Sequence, residues 1–157
     1  MPGVDFVVVD PRDPAAREAL GEYLTEVAER IAEPAVNMSE LDDVGDFVMP
    51  SGAFLVIVDG QNPIGCGGVR TIAPAIGEIK RMWVRRERRG EGLGKELLGA
   101  LEAASWNLGH RVLRLDTNHS LVEAIRLYES RGYRTIARYN DNPDATQFYE
   151  KRLRGSI

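Results

Sequence analysis

The chain has 157 residues, which suits a single compact domain, and its apolar share of 43% and charged share of 28% are ordinary for a globular protein. A net charge of −4 argues against a broad surface for nucleic acid or membrane. The one cysteine, Cys66, excludes an internal disulfide framework, and the two histidines form no cluster with zinc-like spacing. We therefore expect one domain over residues 1–157, in the cytoplasm, without a metal, a nucleic-acid partner or a membrane partner.

Hydrophobic periodicity and turn residues predict the elements in chain order. Runs rich in β-branched residues predict strands, and apolar stripes at helical spacing predict helices. Asp13 and Pro14 begin the first helix, and Ser39 is expected to cap a short second one. Because hairpins are combined with strand–helix–strand units, the class is α/β or α+β with a mixed sheet. The predicted order is β-α-α-β-β-β-α-β-α-β-β, with strands at residues 4–9, 53–58, 64–72, 77–84, 111–117, 133–139 and 145–153, and helices at residues 14–33, 39–47, 93–108 and 121–130.

The segment 85–96, RRERRGEGLGKE, joins the fourth predicted strand to the third predicted helix. It is neither a P-loop nor a dinucleotide-binding loop, because Lys95 stands where both patterns, counted from Gly90, require a glycine. Gly92 and Gly94 fall in the first helical turn, where each is about 1 kcal/mol less favourable than alanine. Such glycines allow a phosphate to approach the N–H groups of the helix start, although a tight corner would also explain them. The arginines then support a phosphate-bearing cofactor or form a solvated loop.

Two motifs along the chain, one after the fourth predicted strand and one in the last predicted helix, resemble signatures of the GNAT family of N-acetyltransferases. The resemblance is to the small bacterial members of that family. Arg89–Gly94, RGEGLG, is similar to that family's Q/R-x-x-G-x-G/A signature. Ala124–Tyr133, AIRLYESRGY, is similar to its A-x-x-L-Y-x-x-x-G-F/Y signature. The element order fits along the whole chain, so the resemblance implies a GNAT-like fold with a mostly antiparallel sheet flanked by helices.

The resemblance implies that the protein moves an acetyl group from acetyl-CoA to a primary amine by direct attack on the thioester. A small-molecule amine is the expected acceptor. A lysine or N-terminal amine of a peptide or protein, or acyl-CoA sensing without turnover, remain alternatives. The pantetheine arm is expected to pair with the fourth strand at Met82, Trp83 and Val84. The amides expected to bind the pyrophosphate are those of Arg89, Gly90, Glu91, Gly92, Leu93, Gly94 and Lys95.

The resemblance also implies two catalytic residues. Tyr128 is expected as the general acid for the departing thiolate, although a core tyrosine would fit the same apolar stripe. Glu78 is expected as the general base, directly or through a water, although a solvated strand end would also explain a glutamate there. Leu121 stands where many family members have an asparagine that contacts pantetheine, and Asn118 is the expected substitute.

The acceptor side is less defined by the sequence. Acidic residues within 23–50 favour a cationic amine if they face the pocket, or else form a solvated helix surface. A homodimer remains open. Cys66 is expected as a buried free thiol rather than a nucleophile, and His110 and His119 are expected at the surface.

Overall fold

A computed structural model describes residues 3–31, 38–41 and 43–154. Within them, seven strands form one sheet in the order β1-β2-β3-β4-β5-β7-β6. Each helix is too short or too polar to span a bilayer over these described ranges. The strands are β1 Val4–Val8, β2 Gly52–Asp59, β3 Asn62–Ala73, β4 Ile76–Val84, β5 Val112–Thr117, β6 Arg134–Thr135 and β7 Gln147–Arg152. The helices are α1 Pro14–Arg30, α2 Leu93–Asn107 and α3 Val122–Ser130, and 3₁₀ turns lie at Met38–Leu41, Gly45–Phe47 and Arg86–Arg88.

The sheet is mixed and mostly antiparallel. Every neighbouring pair of strands is antiparallel except β4 and β5, which run parallel. Their pairing ends at Ile79 and Leu115, whereas β4 continues to Val84 and β5 to Thr117. The two strands therefore part in the middle of the sheet and leave a gap. The predicted α+β class with a mixed sheet is confirmed.

A bulge in β4 accompanies this gap. The register with β3 shifts between Cys66 and Gly68, and in this part of β4 Arg81 has a φ of 59°. A non-glycine residue in this left-handed region costs about 1–2 kcal/mol. The Cys66 thiol donates to the Arg81 carbonyl oxygen at 3.3 Å, which stabilises the bulge. Cys66 is a buried free thiol, as predicted, and burial raises its pKa.

The core lies on both faces of the sheet. Along β2, Leu55 belongs to one cluster with Leu101 of α2, while the next residue, Val56, belongs to another with Leu20 of α1. Successive residues of a strand point to opposite faces, so α1 covers one face and α2 the other. Tyr128 belongs to the first cluster and places α3 on the same face as α2.

Two predicted elements were wrong. Residues 38–41 and 45–47 form 3₁₀ turns rather than part of one α-helix, since Gly45 interrupts a segment too short to sustain a helix. The sixth strand, predicted over 133–139, is a strand only at Arg134–Thr135. The chain that follows it becomes a loop, because asparagine and arginine side chains of this segment bond to its own backbone.

The first helix and one histidine also differ from the prediction. Asp13 occupies the N-cap position but makes no side-chain capping bond, and α1 ends at Arg30. Pro34 and the side chain of Ser39 lie outside the described part of the chain. His110 is 1% exposed rather than at the surface, because both of its ring nitrogens have hydroxyl partners.

Candidate active site

Two cavities open at the gap between β4 and β5. The first, the glycine-loop cavity, has a volume of about 300 Å³ and lies between α1, the end of β4, the loop 90–95 and α3. The second, the polar cavity, has a volume of about 410 Å³ and lies between α1, the middle of β4, the end of β5 and the loop 142–145. They share six lining residues, which we call the junction: Tyr23, Val27, Met82, Leu121, Ala124 and Tyr128.

The backbone of the glycine-rich loop faces the first cavity. Gly90 and Gly92 line it with φ angles of 86° and 83°, in the region that favours glycine. A Cβ atom at either position would meet no protein atom within 4 Å, so there is open space beside the main chain. α2 begins directly after Gly92, at Leu93, and its first N–H groups have no helical acceptor. The loop therefore fits the phosphate groups of a cofactor.

The Arg89 side chain is held by the protein itself. Its Nη2 donates to both carboxylate oxygens of Glu26, at 2.9 and 2.7 Å, and its Nε donates to the Val84 carbonyl. Glu26 also accepts from Trp83 Nε1 at 3.1 Å. Burial alone would raise the pKa of Glu26, but the hydrogen bonds from Arg89 and Trp83 outweigh it and hold that pKa below its ordinary value. Positive charge for a phosphate is thus expected from Lys95, which also lines the cavity.

An ion pair joins α1 and α3 beside this cavity. Arg30 Nη1 donates to Glu123 Oε1, and Arg30 Nη2 donates to Glu123 Oε2 at 2.9 Å and to the Ser120 carbonyl at 3.0 Å. Both charged side chains line the cavity. The hydrogen bond from Arg30 holds the pKa of Glu123 below its ordinary value, although burial opposes this effect. Helices on opposite faces of the sheet are therefore tied together through the gap.

Tyr128 lies at the junction and is 6% exposed. Its ring packs against Tyr133 and Tyr149, with centroids 5.9 and 6.3 Å away. Its hydroxyl donates to Met82 Sδ at 3.8 Å. Burial raises the pKa of Tyr128, so its phenol is neutral near pH 7 and carries a proton that it can donate.

Glu78 is buried, 1% exposed, and lines neither cavity. Its Oε1 accepts from Arg70 Nε at 3.0 Å. Its Oε2 accepts from the Tyr139 hydroxyl at 2.7 Å and from Asn140 Nδ2 at 3.1 Å. Asn140 Nδ2 also donates to Asp116, which does line the polar cavity. Glu78 is thus connected to the cavity through Asn140 and Asp116 rather than by direct contact.

Asp116 completes a polar network. Its carboxylate is 5% exposed and accepts from Lys80 Nζ at 2.7 Å and from Asn142 Nδ2 at 3.1 Å. The network joins β3, β4, β5 and the loop before β7, so these hydrogen bonds set the shape of the polar cavity.

Comparison with known proteins identifies the family. The profile of the Acetyltransferase (GNAT) family matches residues 15–133. The chain belongs to the GNAT acetyltransferase family. An uncharacterised N-acetyltransferase of Schizosaccharomyces pombe is 34% identical over 124 residues, which cover 78% of this chain and 76% of that protein. The YjgM N-acetyltransferase of Escherichia coli is 34% identical over 110 residues, which cover 68% and 63%. The protein is therefore an N-acetyltransferase. Its acetyl donor is acetyl-CoA, which is seen bound in GNAT structures that share its fold.

Solved GNAT structures share its fold. An acetyltransferase from Streptococcus agalactiae has a TM-score of 0.84 at 18% identity, covering 98% of this chain and 100% of that one. A GNAT acetyltransferase from Staphylococcus aureus has a TM-score of 0.82 at 18% identity, covering 96% and 99%. A GNAT acetyltransferase from Elizabethkingia anophelis, solved with acetyl-CoA bound, has a TM-score of 0.71 at 15% identity, covering 98% and 100%.

Most of the predicted site residues of this GNAT enzyme lie around one cavity. Glu91 lines neither cavity, and its Oε2 accepts from Arg88 Nε at 3.1 Å. Asn118 lines the polar cavity, and its Nδ2 donates to the Asp144 carbonyl at 2.7 Å. Its contact with pantetheine stays a prediction. The predicted residues that line the glycine-loop cavity are Met82, Trp83, Val84, Arg89, Gly90, Gly92, Leu93, Gly94, Lys95 and Tyr128.

Sequence reasoning missed the four polar side chains that line the glycine-loop cavity besides those predicted: Tyr23, Glu26, Arg30 and Glu123. Tyr23 fits the apolar stripe of the first predicted helix, and Glu26 is one of the acidic residues within 23–50, so the sequence pattern points neither of them to the donor side. The spacing of Glu26 and Arg30 was one available signal, because residues four apart on a helix can form an ion pair. Their other partners lie 63 and 93 residues away, where no local pattern reveals them.

Proposed function

We propose that the protein transfers the acetyl group of acetyl-CoA to the primary amine of a small molecule by direct attack on the thioester. The observation that carries this proposal is the junction, where a cavity suited to a phosphate-bearing donor meets a second cavity of about 410 Å³. That volume is in the range of small-molecule sites. Met82 and Tyr128, at the junction, lie where donor and acceptor would meet.

On the donor side, we propose that the amides of residues 89–95 bind the pyrophosphate and that Lys95 adds positive charge. The pantetheine arm is placed along Met82–Val84, because β4 has no pairing with β5 beyond Ile79. An unpaired strand edge can accept an extended ligand as an additional strand. Gly90 and Gly92 support this placement, since they leave their backbone accessible from the cavity.

Acetyl-CoA, when bound, supplies a thioester whose acyl carbon accepts the amine and whose sulfur leaves. The N–C bond forms, the C–S bond breaks, and the nitrogen loses one proton. Tyr128 donates a proton toward the departing sulfur, in keeping with a phenol at the junction whose hydroxyl already contacts the sulfur of Met82. General acid catalysis of this kind contributes about 10²–10⁴-fold to a rate.

For the amine proton, Glu78 remains our proposed base, acting through a water rather than by contact. Its carboxylate lines neither cavity, whereas Asp116, two hydrogen bonds away through Asn140, lines the polar cavity. In this proposal a water held by Asp116 takes the amine proton, and the proton passes through a further water to the Glu78 carboxylate, which is its final acceptor.

An amine panel followed by release of the free thiol of CoA tests the proposed function. The panel contains n-butylamine, putrescine, ethanolamine, glycine and a lysine-containing peptide, with an amine-free reaction as the control for hydrolysis. Saturable release with a small amine is expected. Release with the peptide alone would overturn the small-molecule part. No release with any amine, despite acetyl-CoA binding measured by calorimetry, would overturn the proposed acceptor class.

A further inference from the structure

Tyr23 brings a second phenol to the junction. It lines both cavities, as Tyr128 does, and its ring packs, partly buried, against the core cluster on the α1 face of the sheet. Tyr128 belongs to the cluster on the other face. Because β4 and β5 part beyond Ile79, the two tyrosines reach the same gap from opposite sides.

The Tyr23 hydroxyl differs from those of the other four tyrosines of the chain. Those of Tyr128, Tyr133, Tyr139 and Tyr149 donate to Met82 Sδ, Glu102, Glu78 and Glu129, respectively. Among the described residues, no hydrogen bond is made by the Tyr23 hydroxyl. A hydroxyl that lines a cavity and makes no bond within the protein is available to a ligand.

The charged residues around Tyr23 indicate which of the two cavities its hydroxyl serves. Burial raises the pKa of Tyr23, the Glu40 carboxylate raises it further, and the Arg81 guanidinium opposes them. The phenol is therefore neutral near pH 7. Glu40 and Arg81 line the polar cavity and not the glycine-loop cavity. Tyr23 thus belongs with the acceptor side, and Tyr128 contacts Met82 on the strand proposed for the donor.

We propose that Tyr23 is a further catalytic residue, whose hydroxyl oxygen accepts an N–H of the neutral acceptor amine. This inference rests on the proposed function. An N–H bonded to the phenol oxygen fixes the orientation of the nitrogen and leaves its lone pair free to attack. Tyr23 thus orients the nucleophile while Tyr128 acts on the leaving sulfur, and the two phenols divide the reaction between them.

Tyr23→Phe tests this role because it removes the hydroxyl and keeps the ring in the core. With the small amine of the panel that reacts fastest, kcat/KM for the amine should fall about tenfold, the effect of one lost hydrogen bond. The dissociation constant of acetyl-CoA should stay within about twofold, since the Tyr23 ring that lines the glycine-loop cavity is kept and only its hydroxyl is removed. Tyr133→Phe is the matched control, because it removes a hydroxyl that bonds to Glu102 away from both cavities.

An unchanged kcat/KM in a folded Tyr23→Phe enzyme would overturn the inference while leaving the proposed function intact. Equal loss of acetyl-CoA affinity and amine kcat/KM would also overturn it, because that pattern indicates structural damage. Inactivity of the unmodified enzyme toward the whole panel would instead overturn the proposed function, and this inference with it.

A second measurement uses the unmodified protein, so it does not depend on how the variant folds. The enzyme is labelled with [13Cζ]tyrosine, and n-butylamine is added to its complex with CoA. The Tyr23 signal should shift and the Tyr133 signal should not. The two signals are assigned from the corresponding phenylalanine variants, or Tyr23 by elimination if its variant does not fold. A Tyr23 signal that does not move at saturating amine would contradict the proposal.

Discussion

Both terminal nitrogens of Arg30, in α1, donate hydrogen bonds to the carboxylate of Glu123, in α3. This ion pair connects helices that lie on opposite faces of the sheet. Arg30 Nη1 also reaches Glu26 Oε2 at 3.2 Å, and Glu26 in turn binds Arg89. The chain of charges runs from α1 to both the glycine-rich loop and α3. All four side chains line the glycine-loop cavity, so the two helices that border this cavity are coupled by charge.

Glu123→Gln should speed the release of acetyl-CoA. The pair is partly exposed, at 23% for Arg30 and 49% for Glu123, so its strength is modest. Release should be roughly two- to fivefold faster, which corresponds to a loss of up to about 1 kcal/mol. Stopped-flow tryptophan fluorescence can follow release, because Trp83 lines the cavity. The difference from the unmodified enzyme should shrink in high salt.

Glu150→Gln is the matched control for that measurement. It breaks another partly exposed ion pair, with Arg114 at 3.0 Å, and neither residue lines the two cavities. Its release rate should equal that of the unmodified protein. If both variants release acetyl-CoA equally fast, the pair between Arg30 and Glu123 has no specific role in holding the cofactor.

Tyr128→Phe should lower kcat at saturating acetyl-CoA by about 10²–10⁴-fold, because the departing sulfur would lose its proposed proton donor. The dissociation constant of acetyl-CoA should change little, since the ring remains against Tyr133 and Tyr149. Steady-state assays with the fastest amine of the panel measure both quantities. Tyr149→Phe is the control, because its hydroxyl bonds to Glu129. Unchanged turnover in Tyr128→Phe would exclude the proposed acid.

Glu78→Gln should alter the pH–rate profile if Glu78 assists proton removal, because the group that must be deprotonated loses its charge. The turnover rate of the Glu78→Gln enzyme should fall at every pH, and the decrease of kcat/KM at acidic pH should shift or disappear. Stability should also fall, by about 1–3 kcal/mol, since Arg70 loses a buried charged partner. Thermal unfolding separates this loss from the kinetic effect.

Asp46→Asn provides the comparison for Glu78→Gln. It removes the other carboxylate bonded to Arg70, at 3.3 Å, which is 69% exposed. Its pH–rate profile should match that of the unmodified enzyme. A Glu78→Gln enzyme that is less stable but has an unaltered profile would assign Glu78 to holding the wall of the polar cavity, and another group would have to be the base.

The fold was predictable because its signals are local. Alternating and β-branched runs marked β2 and β3, and the turn at residues 60–61 joins them as the predicted hairpin. Gly132 follows α3 with a φ of 90°, the left-handed conformation in which a glycine commonly ends a helix. Two signature motifs indicated the family, and the profile match confirms it. All of these features depend on residues that are close together in the sequence, so they can be recognised from a single sequence.

The site was harder to predict, because its contacts span the sheet. Glu78 could be read as a solvated strand end, yet it is buried by Tyr139 and Asn140, which lie 61 and 62 residues later. Tyr23 could be read as a core residue, and its place at the junction depends on where β4 and β5 part. That point lies beside the bulge at Arg81, whose left-handed backbone no residue propensity predicts. The sequence therefore does not reveal which distant residues bury a side chain such as Glu78, or where β4 and β5 separate.

Gly77→Ala should destabilise the protein, because an added Cβ would lie 2.3 Å from His110 Nδ1. The ring cannot move aside easily, since hydroxyls of Ser105 and Thr71 bond to its two nitrogens. Such overpacking costs about 1–3 kcal/mol in the free energy of unfolding. Gly99→Ala is the opposite control: it is exposed on α2, with nothing within 4 Å of an added Cβ. Alanine there should stabilise by about 0.5–1 kcal/mol. Urea unfolding measures both, and equal midpoints would contradict the packing argument.

His110 should make the protein less stable as the pH falls below about 6.5, the ordinary pKa of histidine. Burial, and next the charge of Arg111, lower the pKa of His110 in the folded protein. Between the folded and unfolded pKa values the unfolded chain binds more protons, so the free energy of unfolding decreases as the pH decreases. The slope can reach about 1.4 kcal/mol per pH unit for one proton. Urea unfolding between about pH 5 and 8 measures it.

The hydrogen bonds of His110 explain why the folded protein favours the neutral imidazole. Thr71 Oγ1 donates to the Ser51 carbonyl at 2.8 Å, so it accepts from His110 Nε2, and Ser105 Oγ is left to donate to Nδ1. A proton added at Nδ1 would meet a donor in a buried site. His110→Gln should therefore flatten the slope between about pH 5 and 7, whereas His119→Gln, at an exposed position, should keep it. A His110→Gln variant that retains the full slope would show that other groups cause the loss of stability.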